Sequence, residues 1–159
     1  MTWLRFLFLL LPIGAGCGSP SGGEPILIQA LLKRFEVQPN NPLIGLGGLL
    51  VADGNGKVVE ANFTGRPLGD LDLAVIAQQG SIQELWLTNT GVTDAGMIHL
   101  QSMPNLRVLG LARTSVTDAG LPALGDIRSL REVYLYPNRV SDNAVDALKQ
   151  RLPGIKVVY

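Results

Sequence analysis

The stretch Leu106-Arg107-Val108-Leu109-Gly110-Leu111-Ala112-Arg113-Thr114-Ser115-Val116-Thr117-Asp118-Ala119-Gly120-Leu121 restates, 24 positions on, the stretch Ile82-Gln83-Glu84-Leu85-Trp86-Leu87-Thr88-Asn89-Thr90-Gly91-Val92-Thr93-Asp94-Ala95-Gly96-Met97. A fixed period of this length means that one short supersecondary unit, unable to bury its apolar side alone, is stacked on copies of itself. Six apolar columns carry the period through four units. They are Val58, Ile82, Leu106 and Leu130; Ala61, Leu85, Leu109 and Val133; Phe63, Leu87, Leu111 and Leu135; Leu68, Val92, Val116 and Val140; Leu73, Met97, Leu121 and Val145; and Ile76, Leu100, Leu124 and Leu148.

Spacing within a unit gives its secondary structure. The second and third columns lie two residues apart, the period of a strand, whereas the last two lie three apart, the period of a helix or tight turn. Each unit is therefore expected to be a short strand, a turn and a helix. Successive strands should pair in parallel about 4.8 Å apart, with the helices on the outer face. Two irregularities qualify this. Pro122 falls inside the third helix and should make it start late or become a 3₁₀ turn. The last unit carries one extra residue near Lys149-Gln150-Arg151-Leu152, so Ile155 and Val158 are expected to follow Leu130 and Val133 by 25 positions, with Val157-Val158-Tyr159 opening a further, uncapped strand.

One charged column, Asp70, Asp94, Asp118 and Asp142, follows Gly69, Thr93, Thr117 and Ser141. A recurring acid raises the question of a calcium or catalytic site. A hydroxyl followed by an acid ahead of a helix is, more simply, an N-cap with a carboxylate at the positive end of the helix dipole.

Lys plus Arg and Asp plus Glu number 13 each, so no net field draws nucleic acid, and an apolar fraction of 47% is ample for a core. The one cysteine, Cys17, excludes an intrachain disulfide and a cysteine-cluster metal site. Before it stand Arg5, the run Phe6-Leu7-Phe8-Leu9-Leu10-Leu11-Pro12-Ile13 and the small residues Gly14-Ala15-Gly16; after it comes Gly18-Ser19-Pro20-Ser21-Gly22-Gly23. Residues 1–16 read as a secretory signal too short to span a bilayer, and residues 17–24 as a flexible tether. This resembles a bacterial lipoprotein signal, in which the cysteine is lipidated and the chain cut before it, although Gly14 stands where that pattern has Leu. The alternative is an ordinary cleaved signal that leaves Cys17 a spare thiol. The resemblance implies a membrane anchor in the cell envelope; the ordinary signal implies a secreted or periplasmic protein.

Residues 25–56 read as an N-terminal cap. Ile28, Leu31, Leu32 and Phe35 form one helical stripe that would close the open end of the stack. Leu49-Leu50-Val51 and Lys57-Val58-Val59, separated by Asp53-Gly54-Asn55-Gly56, read as a hairpin leading into the sheet. The glycines between Gly45 and Gly48 lack the lysine and hydroxyl of a phosphate loop. No cofactor and no metal is expected.

The phrase over residues 57–159 resembles the leucine-rich repeat family, Leu-x-x-Leu-x-Leu, in its short secreted bacterial form with Thr-x-Val-Thr-Asp-Ala-Gly-Leu after the strand. The resemblance implies an α/β fold, a short horseshoe solenoid of about four 24-residue units, whose concave sheet binds protein or peptide ligands without chemistry. The outward strand positions would then be the ligand face: Glu84, Trp86, Gly110, Glu132, Tyr134 and Tyr136, with Gly110 the floor of a slot walled by Trp86 and Tyr134. The alternatives are that these aromatics only shield the sheet, that the protein self-associates through its Tyr159 edge as a structural envelope component, or that Glu60 and Glu84 on neighbouring strands act as a glycan-hydrolase pair. His99 is expected to pack between helices, and Arg113 and Arg139 to rim the face as solvated cations.

Overall fold

A computed structural model describes residues 40–159; Cys17, the signal and tether, and the cap helix expected over 25–36 lie outside the described residues. Among the described residues six strands form one sheet in chain order: β1 Leu49–Ala52, β2 Val58–Asn62, β3 Glu84–Trp86, β4 Val108–Gly110, β5 Glu132–Tyr134 and β6 Lys156–Val158. β1 and β2 are the antiparallel hairpin, closed by Asp53, whose carboxylate accepts from the amides of Asn55 and Lys57. From β2 onward every pairing is parallel, and each strand meets its neighbour 24 residues on: Ala61 opposite Leu85, Leu85 opposite Leu109, Leu109 opposite Val133.

The six columns form the core. All their members are buried except Val140, which is half-buried against the same cluster. Alternation along each strand puts the leucines inward and leaves the intervening residues on the opposite side of the sheet.

The segments that return the chain to the next strand are not uniform. They are an α-helix, α1 Asp70–Ala77; a 3₁₀ segment, Asp94–Ser102; a four-residue helix, α2 Leu121–Leu124; and α3 Asp142–Arg151. The expectation of one helix per unit therefore needs correction. Gly96 weakens helix formation in the second segment, where i→i+3 bonds such as Gly96 N–H to Thr93 O replace the α pattern. Pro122 occupies the first turn of α2, which starts late, as its missing N–H demands.

The extra residue of the last unit is absorbed before the strand, so the expected 25-residue offset of Val158 from Val133 is corrected. Val133 pairs with Val157, and Val158 pairs with Tyr134. Ile155 does take the inward place of Leu130, and the offset returns to 24 directly after it, where Lys156 pairs with Glu132.

Candidate functional site

The register places the expected ligand residues in rows across the sheet. One row runs Glu60, Glu84, Val108, Glu132 and Lys156; the next runs Asn62, Trp86, Gly110, Tyr134 and Val158. Glu60 and Glu84 are direct register partners, as their spacing implied. They stand on the broad face of the sheet, whereas three described clefts lie elsewhere, two among the helical segments and one at the strand ends.

Trp86 and Tyr134 are not two walls with a gap between them. Their ring centroids lie 5.4 Å apart at an interplanar angle of 38°, a tilted contact. The indole leans across Gly110: a Cβ built there would run into Trp86 Cε3, and would lie 2.9 Å from Cζ3. Gly110 is accordingly buried. The slot expected over Gly110 is thus filled by the tryptophan, and the glycine is present so that the ring can lie on the backbone. Gly110→Ala should push the indole outward at small stability cost, below about 1 kcal/mol because the half-exposed ring can turn away. The measurement is the Trp fluorescence maximum, with Trp3→Phe as background: a red shift is expected, and an unchanged maximum would contradict this packing.

Glu132 also has a different place from an open ligand contact. Its Oε2 accepts from the Tyr134 hydroxyl at 2.8 Å and from Lys156 Nζ at 3.1 Å. The tyrosine bond first, and then the Lys156 bond and charge, hold the Glu132 carboxyl below the usual range, while Glu132 in turn raises Lys156. Lys156 also stands 5.7 Å from the Tyr134 ring centroid. Glu132 and Lys156 therefore fix the tilt of Tyr134. Tyr136, next outward along the chain, is 67% exposed, and Val158 extends the apolar surface beside Tyr134. Glu84 is half-buried in the row beside Trp86.

The aspartate column does more than cap. Thr93 and Ser141 do act as caps, accepting from the amides of Ala95 and Ala144. Each carboxylate, however, reaches across to the next unit. Asp70 accepts from Thr93 N–H and Oγ1, Asp94 from Thr117 N–H and Oγ1, and Asp118 from Ser141 N–H and Oγ, all at 2.7–2.8 Å. Gly96 and Gly120 lie under these carboxylates; a Cβ at Gly120 would sit 2.5 Å from Asp94 Oδ1. The phrase Thr-Asp-Ala-Gly is thus one interlocking device, whose signal in the sequence was acid, hydroxyl and glycine recurring together at the same period.

His99 is half-buried along the cleft between α1 and the 3₁₀ segment, beside Ala74, Ala77 and Pro104. Tyr159 donates to Asp142 Oδ1 at 2.9 Å, so the ring of the expected self-association edge is folded onto the start of α3. Among the described residues no group of three His, Cys, Asp or Glu is placed to hold a metal ion, and no helix is long and apolar enough to cross a membrane.

No family model matches the chain, and a comparison with curated proteins finds no match. Among solved structures the chain is similar to the crystal structure of PEPR1-AtPEP1, at 17% identity and a TM-score of 0.43, over 83% of this chain and 24% of that one. It is also similar to an internalin from Listeria monocytogenes, at 14% identity and a TM-score of 0.38, over 55% of this chain and 31% of that one. The chain thus spans at most about a third of the length of these two structures.

Proposed function

We propose that the chain is a non-enzymatic binding module of the leucine-rich repeat type, which holds a protein or peptide ligand against the outward face of β3 to β5. The observation that carries this reading is the Trp86–Tyr134 ring pair, braced by Glu132 and Lys156 on the broad face of the sheet and continued by the exposed Tyr136. Rigid aromatic rings lose little conformational freedom on binding and bury a large area, which suits them to anchor a partner. A braced ring pair is a better anchor than a mobile one, because its ordering cost is met on folding. In this reading Cys17, lipidated after cleavage of residues 1–16, tethers the module to the cell envelope.

The test is selection from a random-peptide display library on the wild-type protein. The variant Trp86→Ala, Tyr134→Ala, Tyr136→Ala serves as the comparison. Selected peptides should bind the variant at least about a hundredfold more weakly, in keeping with the loss of several aromatic anchors. Far-UV circular dichroism should be unchanged, since none of the three rings belongs to the core cluster. Peptides that bind both proteins equally would reject the aromatic face as the ligand site.

A further inference from the structure

The ends of β4 and β5 carry a second feature that the ligand face does not use. The chain leaves these strands through Arg113-Thr114-Ser115 and Pro137-Asn138-Arg139, and these segments line a cleft of about 340 Å³ together with Val116 and Thr117. The walls are fixed by internal bonds. Thr114 Oγ1 donates to Leu111 O at 2.7 Å; Asn138 donates from Nδ2 to Leu111 O and to Thr114 Oγ1, and accepts from Thr114 N–H. Thr117 is held by Asp94. What remains unengaged is cationic. Among the described residues neither Arg113 nor Arg139 makes a hydrogen bond or an ion pair, and both are exposed.

The backbone at Arg113 gives a second, independent observation. Its φ is +56°, in the left-handed region, at the position where the two preceding units have Gly65 at +72° and Asn89 at +56°. Glycine and asparagine adopt this conformation readily, whereas a long side chain pays a steric penalty there. An outlier of this kind, kept where a better-suited residue stands in the neighbouring units, points to a use for the side chain. On the neighbouring turns Asp94 accepts from Thr117 and Asp118 from Ser141, and among the described residues no ion pair joins either carboxylate to an arginine.

We propose that this cleft binds a tetrahedral oxyanion, a phosphate or sulfate group, between the guanidinium groups of Arg113 and Arg139, with the exposed Ser115 hydroxyl as a further donor. Planar guanidinium forks match the oxygen edges of such a group, and two of them on a rigid frame match its charge. The site adjoins the aromatic face where Tyr136 meets Pro137, but uses none of its rings. A free phosphate and an anionic lipid headgroup share this chemistry, so the test has two arms.

In the first arm the full chain is titrated with sodium phosphate and with sodium sulfate at constant ionic strength, following the arginine Nε–H resonances; in the second it is sedimented with phosphatidylglycerol vesicles. A saturable shift of the Arg113 and Arg139 signals, absent with chloride, is expected in the first arm if the group is taken up free. Sedimentation with the vesicles is expected if it is taken up on lipid. Arg113→Gly and Arg139→Gln should each weaken the response about tenfold or more. Arg113→Gly should do so without lowering the thermal midpoint, because it relieves the left-handed strain. Response in neither arm, or a response from both variants equal to that of the wild type, overturns the proposal. So does a lowered midpoint in Arg113→Gly, which would make the side chain part of the fold.

Discussion

Leu109→Ala is expected to destabilise the protein by about 2–5 kcal/mol, read as a lowered urea midpoint with an unchanged m value. Leu109 is fully buried at the centre of β4, with Leu85 on one side and Val133 on the other as its register partners. The cavity left by truncation would be walled by two backbones whose spacing is set by sheet hydrogen bonds, so it cannot close by drawing the strands together. Stacked units are stabilised mainly through contacts with their neighbours, and Leu109 serves both of its unit's interfaces. Leu71, 84% exposed on α1, provides the internal comparison: Leu71→Ala should change stability by less than about 0.5 kcal/mol. Similar losses for the two would show that the inward and outward sets of residues are misassigned.

The contrast between Leu71 and Leu109 also shows what the sequence can carry. Column membership separated them, because the period repeats in every unit and a core position must recur with it. The strand rows were legible for the same reason: once Leu85, Leu109 and Val133 are in register, Trp86, Gly110 and Tyr134 must share a row. Three things were not legible. The direction in which the Trp86 indole falls depends on a rotamer, and only the space above Gly110 decides it. The place of the extra residue in the last unit depends on the backbone between Ile155, which takes the place of Leu130, and Lys156, which already pairs with Glu132. The second role of the aspartates depends on contacts between units, whereas the capping argument looks only within one. The columns carry most of the fold, and side-chain contacts across them carry most of the candidate site.

Those contacts give the second large effect. Asp94→Ala is expected to cost about 1.5–3 kcal/mol, since a charged acceptor serving two donors is removed and both donors lose their partner. Thr117 N–H and Oγ1 each donate to Asp94 at 2.7 Å in a half-buried setting, and Gly120 lies directly against the carboxylate. Asp142 has the exposed Tyr159 hydroxyl as its described side-chain partner, in place of a paired amide and hydroxyl, so Asp142→Ala should cost much less. A cycle combining Asp94→Ala with Thr117→Val should show strong coupling, because the second substitution removes a hydroxyl that has already lost its acceptor. The ladder also sets an acid limit. The Ser141 hydroxyl first, and then its amide, hold Asp118 below its ordinary value of 3.8. The unfolded chain therefore takes up this proton at higher pH than the folded one. The stabilisation from Asp118 is complete above that ordinary value and is lost as pH falls through the lower folded value. Thermal midpoints followed from about pH 6 down to about pH 2.5 should fall at the acid end, and Asp118→Asn should flatten part of that fall. Equal pH profiles for wild type and Asp118→Asn, or additive losses in the Asp94–Thr117 cycle, would show that the carboxylates only decorate the turns and that the stack is held by its leucines alone.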